Sequence, residues 1–284
     1  LFAFSQKRNI LVTKRDYYYS VRKVEKMFVT TAGRTSPGMI QAAKEAAAEL
    51  GVAFHPRKSH SVSSLQEQWK DDCIVYGKNR LELFSYGKSS PYFFHPNSAA
   101  FRIKRLMRGE SDPFLEAAKI EPGDTVADCT LGLASDSIIA SYAAGPSGKV
   151  TGVEGNPFLA YLAEKGLKTW KSGVPQMDEA MERVEVISAL SLDYLKGRQD
   201  QSADIVYFDP MFEEKLLDSD GIKELAKFAV YGLSGELIEE AKRVSRKRVV
   251  LKDHFRSERF STFGFEVYRR KSSRFHFGVL ERKK

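Results

Sequence analysis

The stretch Asp204-Ile-Val-Tyr-Phe-Asp209-Pro210-Met211-Phe212 decides the fold. An apolar, β-branched and aromatic run ends abruptly in an acid, a proline and, two residues later, an aromatic ring. The run reads as a buried strand, and Pro210 cannot extend the ladder because it has no N–H to donate. The chain must therefore turn, presenting a carboxylate, a turn carbonyl and a flat ring together at the carboxyl end of a strand. In open α/β sheets ligands bind at that edge, and such a trio can hold a planar amino group. The competing reading is an Asp-Pro turn closed by a core phenylalanine.

Outward from this strand the pattern repeats. Toward the N-terminus, Thr125–Asp128, Lys149–Glu154 and Val184–Ile187 read as strands, with helices over Asp136–Ala144 and Pro157–Trp170. Toward the C-terminus, Ile222, Leu225, Ala226, Ala229, Val230 and Leu233 form a helix stripe, followed by a strand at Arg248–Leu251. Alternation of this kind predicts a mostly parallel, doubly wound sheet. Phe265–Arg269 and Phe275–Leu280 leave no room for a helix between them, so they form a C-terminal antiparallel hairpin on the edge of a seven-stranded sheet.

The first third is less regular and reads as a small α+β region over 1–95, before a main domain over 96–284. It holds a strand at Met27–Ala32 and a helix opened by Ser36-Pro37 and stopped at Gly51. A hairpin is expected over Cys73–Tyr76 and Leu81–Phe84, and residues 1–26 read as an extension without assigned function. Asn97–Met107 reads as a helix on which Arg102, Arg105 and Arg108 share a side by their spacing of three. That stripe is either a solvated face or a phosphate-contacting surface.

At 284 residues, with 42% apolar and 29% charged residues, the chain can bury a full core. Its formal charge of +8 favours a polyanionic partner. Cys73 and Cys129 are too few for a zinc cluster or disulfide framework, so a reducing cytoplasm is the expectation. The five histidines show no metal spacing, and no apolar run approaches the roughly 18 residues of a membrane span.

The first strand of the repeat ends in Asp128-Cys-Thr-Leu-Gly132-Leu-Ala-Ser135-Asp136. A strand, a glycine turn and a helix start are the context of a nucleotide site. The dinucleotide pattern of three glycines and the Lys-Ser/Thr of a phosphate loop are both missing. Asp128 and Asp136 would repel phosphate, yet suit the cationic amino and sulfonium groups of S-adenosylmethionine (SAM). Glu154, at the next strand tip, is placed for ribose hydroxyls, and Leu190-Ser191 after the third strand for adenine.

With Asp128-Cys-Thr-x-Gly-Leu-x-x-Asp136, Glu154-x-Asn156-Pro157 and Asp209-Pro-Met-Phe212 together, the chain resembles the class I SAM-dependent methyltransferases. Within them it resembles the bacterial 16S rRNA guanine-N2 methyltransferases that carry Asp-Pro-Met-Phe. The likeness runs from about Ile74 to Leu280. It implies a Rossmann-like fold, SAM as cofactor and small-subunit rRNA as partner. It also implies cofactor contacts at Ser135, Asp136, Glu154, Gly155, Leu190, Ser191 and Asp209. The chain departs from the pattern at Ala134-Ser135, where the family has a glycine and an arginine. It departs again at Gly155 and at Asp253-His254 after Lys252.

The expected chemistry is direct in-line methyl transfer to the exocyclic amine of a guanine. Asp209 and the Pro210 carbonyl would hold the amine, and Phe212 would stack on the base. Lys215, Lys252, Arg274, Arg102 and Arg105 are candidate phosphate or base contacts. A DNA or small-molecule amine methyltransferase, a dinucleotide oxidoreductase and a non-catalytic RNA-binding protein are the competing readings.

Overall fold

A computed structural model describes residues 27–210, 232–271 and 273–282. Of the sequence features above, residues 1–26, Met211, Phe212, Lys215 and most of the Ile222–Leu233 stripe lie outside the described residues. The chain divides into two compact units, one of residues up to 78 with 85–87, the other of 79–84 with 88–284.

In the first unit, β1 (Met27–Thr31) lies parallel to β2 (Ala53–Phe54) and β3 (Asp72–Tyr76). Helix α1 (Pro37–Leu50) starts where Ser36 accepts the Met39 N–H and stops at Gly51, whose φ of 66° is left-handed. Cap, first-turn proline and terminal glycine are the three signals the sequence carried. Helix α2 (Val62–Trp69) follows the same logic, Ser61 capping Ser64. Trp69 stacks on His55 with ring centroids 3.8 Å apart.

The second unit begins with β4 (Leu81–Phe84), α3 (Asn97–Leu106) and α4 (Pro113–Ala118). Then come β5 (Thr125–Asp128), α5 (Ser135–Ala144), β6 (Lys149–Glu154), α6 (Pro157–Thr169), α7 (Pro175–Glu182), β7 (Val184–Ser188) and α8 (Ser191–Lys196). The chain closes with β8 (Ala203–Phe208), α9 (Gly235–Val244), β9 (Ser245–His254), α10 (Arg259–Thr262), β10 (Glu266–Tyr268) and β11 (Phe275–Glu281). Their seven-stranded sheet has the order β10-β11-β9-β8-β5-β6-β7. All pairings from β9 to β7 are parallel, and β11 runs antiparallel to both β9 and β10. The expected Rossmann-like α/β sheet with its C-terminal antiparallel hairpin is the fold observed.

Every residue of β8 is buried, because the strand is covered on both faces. Ile205 and Tyr207 pack with Phe114, Ile138 and Ile103 on one side, and Val206 and Phe208 with Leu237, Ile238 and Leu195 on the other. The chain moves outward from β5 through β6 to β7, then returns to place β8 on the opposite flank of β5. That reversal opens a crevice between the tips of β5 and β8, the position at which such sheets bind ligands. Among the described residues, no helix is long and apolar enough to cross a membrane.

Candidate active site

β5 stops at Asp128, and its carboxylate is spent inside the fold. Oδ1 accepts from the Thr130 backbone N–H at 3.0 Å and its hydroxyl at 3.3 Å, while Oδ2 accepts from the Ser137 hydroxyl at 2.6 Å. Burial, reinforced by the nearby charge of Asp136, pushes the Asp128 carboxyl up to about 7. The residue braces the turn against the first helical turn of α5, where Ser135 and Asp136 stand half-buried.

The turn rests on two left-handed residues, Gly132 at φ 50° and Ala134 at φ 59°. Glycine takes that conformation freely, whereas alanine does so at a cost of about 1–2 kcal/mol. Leu131 donates its N–H to Val153 O at 3.1 Å. Its side chain lies over Gly152 of β6, where a Cβ would stand 2.3 Å from Leu131 Cδ1. A strand position without a side chain thus lets the turn settle on the sheet.

Glu154, at the β6 tip, is fully buried. Its Oε2 accepts from Gly132 N at 3.2 Å and its Oε1 from Asn156 N at 2.9 Å, so the carboxylate ties the two strand tips together. Gly155 is buried beside it, and Asn156 caps α6 by accepting from Phe158 and Leu159. At the third tip Leu190 is exposed, and the Ser191 hydroxyl donates to Cys129 O at 2.6 Å. At the fourth tip the Asp209 N–H donates to Thr130 Oγ1 at 2.6 Å, a bond that spans the crevice between β5 and β8. Sequence reasoning gave Thr130 no role.

Behind these tips runs a chain of charges. Asp112 caps α4 and holds Arg102 through both oxygens, at 2.7 and 2.8 Å. Arg102 also pairs with Asp136. Asp136 Oδ2 accepts from the Tyr207 hydroxyl at 2.8 Å and from Lys252 Nζ at 3.4 Å. Lys252 Nζ then reaches Asp209 Oδ2 at 2.6 Å. Among the described residues no donor reaches Asp209 Oδ1. Although burial opposes it, the cations Lys252 and Arg102 hold the Asp136 carboxyl well below the usual carboxylate range. At Asp209 burial wins and, despite Lys252, pushes the carboxyl upward. Lys252 is shifted upward by the two carboxylates, against its own burial, and stays an ammonium.

Arg102 therefore departs from the expected outward stripe. Its guanidinium is turned inward because Asp112 and Asp136, reached from two other helices, satisfy it. Arg105 and Arg108 both pair with Glu110, the former at 2.6 Å. Lys252 sits in the site itself, while Arg274 is exposed on the approach to β11. Tyr207 was also missed, although a tyrosine inside a buried strand signals a hydroxyl that needs a partner.

A cleft of about 190 Å³ opens at the tips of β5 and β8, lined by Thr130, Leu190, Ser191, Phe208, Pro210 and Leu237 among others. A model of the SAM-dependent methyltransferase family matches residues 59–277. The chain belongs to this family of enzymes. Over 254 residues the methyltransferase is 44% identical to YpiP of Bacillus subtilis (strain 168), an uncharacterized protein, covering 89% of this chain and 98% of that one. It is 30% identical over 168 residues to ribosomal RNA small subunit methyltransferase J of Acinetobacter baumannii (strain SDF). That match takes in 53% of this chain and spans 58% of the relative. In fold it resembles the SAM-dependent methyltransferase NGO1261 of Neisseria gonorrhoeae, with a TM-score of 0.58 at 18% identity over 89% of this chain and 95% of that one. The cofactor of the family is SAM, and the residues at the strand tips fit it. Apolar walls and the Ser191 hydroxyl suit a nucleoside, and the one-quarter-exposed Asp209 carboxylate suits a cationic or N–H group. The Glu154 carboxylate, expected on the ribose, is instead buried and engaged by Gly132 and Asn156.

Proposed function

We propose that this enzyme methylates the exocyclic amine of a guanine in RNA, with small-subunit rRNA as the favoured source. The observation that carries the proposal is Asp209. Its carboxylate stands at the central strand tip with Oδ2 on Lys252 and Oδ1 turned to no donor among the described residues. An amine N–H can donate to that oxygen, and the Pro210 carbonyl supplies a second acceptor one residue on. Two acceptors orient the amine so that its lone pair faces the methyl group, overcoming delocalisation into the ring. Phe212 follows in sequence as the stacking ring, worth roughly 1–3 kcal/mol. The partial match to an rRNA methyltransferase and the charge of +8 both support RNA over a metabolite.

SAM, when bound, supplies a methyl carbon already activated by its sulfonium. Leu190 and Ser191 would hold its nucleoside, with Glu154 bracing the strand tips from within the fold, and the turn at Gly132 and Ser135 would hold its amino-acid end. The protein's main contribution is alignment of two bound reactants, an effect that can reach about 7–11 kcal/mol. Asp209 accepts the amine's hydrogen bond first. Its upward-shifted carboxyl then suits it to take the proton shed as the methyl arrives. A base paired in a duplex cannot reach a strand tip inside a crevice, so the target is single-stranded, looped or flipped.

Asp209→Ala should keep most SAM affinity and abolish methyl transfer to RNA. The assay is transfer from labelled SAM to separate RNA, DNA and metabolite fractions, with mass mapping of the modified rRNA nucleotide. Full activity in that variant would sink the assignment of Asp209, and label confined to DNA or metabolites would sink RNA.

A further inference from the structure

The sheet edge that carries Asp209 continues beyond Lys252 into a second recess. β9 ends at His254, followed by Phe255 and Arg256, and β11 starts opposite it, Phe275 pairing with His254. β10 ends at Tyr268, opposite Phe277, so Arg269 and Arg270 also fall on this edge. Between these tips lies a recess of about 380 Å³ lined by Phe255, Ser257, Phe260, Phe265, Arg269 and His276, with neighbouring residues. Its volume is within the roughly 300–1,000 Å³ of sites that accept small organic groups.

The floor is apolar and firm. Phe260 and Phe265 are buried and pack over Gly278, where a Cβ would stand 2.6 and 2.8 Å from them. The rim is different. Phe255 is 44% exposed, with the Arg256 guanidinium 5.0 Å from its ring centroid and the His254 ring at 4.6 Å. His276 Nδ1 accepts from Arg270 N at 3.3 Å, which assigns its remaining hydrogen to Nε2 as a donor. Arg259 is held by Asp253 at 3.1 Å. By contrast, Arg256, Arg269 and Arg274 are exposed, and among the described residues no carboxylate pairs with them.

An exposed ring set among unpaired cations, over an apolar floor, is the combination that binds single-stranded nucleic acid. Bases stack on the ring while cations follow the backbone. Phe255 lies three residues beyond Lys252, about 10 Å along the chain, within reach of nucleotides next to the one held at Asp209. We propose that this recess is a subsite for a second base of a single-stranded RNA substrate, stacked on Phe255, with Arg256, Arg269 and Arg274 on the adjoining phosphates. The subsite rests on the reading of RNA as substrate, and it sets which neighbours of the target guanine the enzyme accepts.

The test uses the full chain and single-stranded RNA oligonucleotides containing one guanine, with fluorescent 2-aminopurine placed in turn at each neighbouring position. In the wild type, one position should be quenched on binding. Phe255→Ala should abolish that quenching and weaken RNA about 5- to 150-fold, the span expected for one base–aromatic stack. SAM affinity and thermal midpoint should be unchanged, since the ring is exposed, and Phe255→Tyr should restore quenching. Exchanging Arg269 and Arg274 for Gln should flatten the dependence of log affinity on log salt by about 0.7 for each phosphate released. Methylation of RNA by the wild type with no change in Phe255→Ala overturns the subsite alone. A wild type that neither binds nor methylates any RNA overturns both the subsite and the RNA reading beneath it.

Discussion

Replacing Lys252 with methionine removes the cation shared by Asp136 and Asp209 while keeping a chain of similar length. Its Nζ stands 2.6 Å from Asp209 Oδ2 and 3.4 Å from Asp136 Oδ2. At an effective dielectric constant near 20, those separations correspond to attractions of about 6 and 5 kcal/mol. Burying the ammonium offsets most of this. Removing one partner of a buried pair leaves a net cost of about 3–5 kcal/mol, and a site one-quarter exposed, as Lys252 and Asp209 are, brings it to about 2–4 kcal/mol. Asp136 keeps Arg102 and the Tyr207 hydroxyl. Asp209 loses its cation and can escape only by taking up a proton.

The signature is therefore in pH. Burial already raises the Asp209 carboxyl, with Lys252 pulling the other way. Without Lys252 it rises further, so the ionised form that accepts from an amine is reached only at higher pH. About 2–3 kcal/mol withdrawn from the ionised form corresponds to about two pH units. Lys252→Met should lower kcat/KM most at the acid end of the range and recover as pH rises, its acid limb displaced upward. Lys252→Arg should retain more activity. The assay is initial-rate methyl transfer to RNA over about pH 6 to 9, with SAM affinity measured in parallel. An acid limb coincident with that of the wild type would refute the coupling of Lys252 to Asp209.

Two further outcomes follow from the same edge. The Asp128 carboxyl is raised from an ordinary 3.8 to about 7, so the folded state favours its protonated form. That contribution is complete below about pH 4 and lost as pH rises to about 7, up to about 4 kcal/mol in all. Asp128→Asn should thus gain on the wild type across that window in chemical denaturation, and a constant difference would refute the assignment. Gly152→Ala would set a Cβ 2.3 Å from Leu131 Cδ1, displacing the Gly132 turn. Calorimetry should show weakened SAM binding and about 1–3 kcal/mol of lost stability, whereas unchanged binding would separate the turn from the cofactor.

The sheet was legible because its strands are buried on both faces. β8 is a continuous apolar run, and β5 and β6 end in acids at the tips where the chain turns. Helix α9 was missed although Leu237, Ile238, Ala241 and Val244 mark its buried face and Ser234 caps it. β9 was read as four residues and is ten. Its charged ends hide it from any apolar pattern, yet those charges are satisfied by neighbouring strands and turns. Arg246 forks onto Asp204 at 2.9 and 2.8 Å, and Lys247 reaches Asp124 at 2.7 Å.

The ion chain behind the site was invisible for a related reason: its members meet only through tertiary structure. Spacing of three along α3 says that Arg102, Arg105 and Arg108 are neighbours, but not that Asp112 and Asp136 turn the first of them inward. One link, however, follows from the sheet. β8 and β9 run parallel with Phe208 opposite Leu251, so the next residues, Asp209 and Lys252, must emerge side by side at the same edge. Two apolar runs of similar length, one ending in an acid and the other in a lysine, become a charge pair once the strands are known to be adjacent. The acid that first read as an amine clamp is thus half of a pair. The partner that governs its protonation lies 43 residues downstream, brought there by strand register.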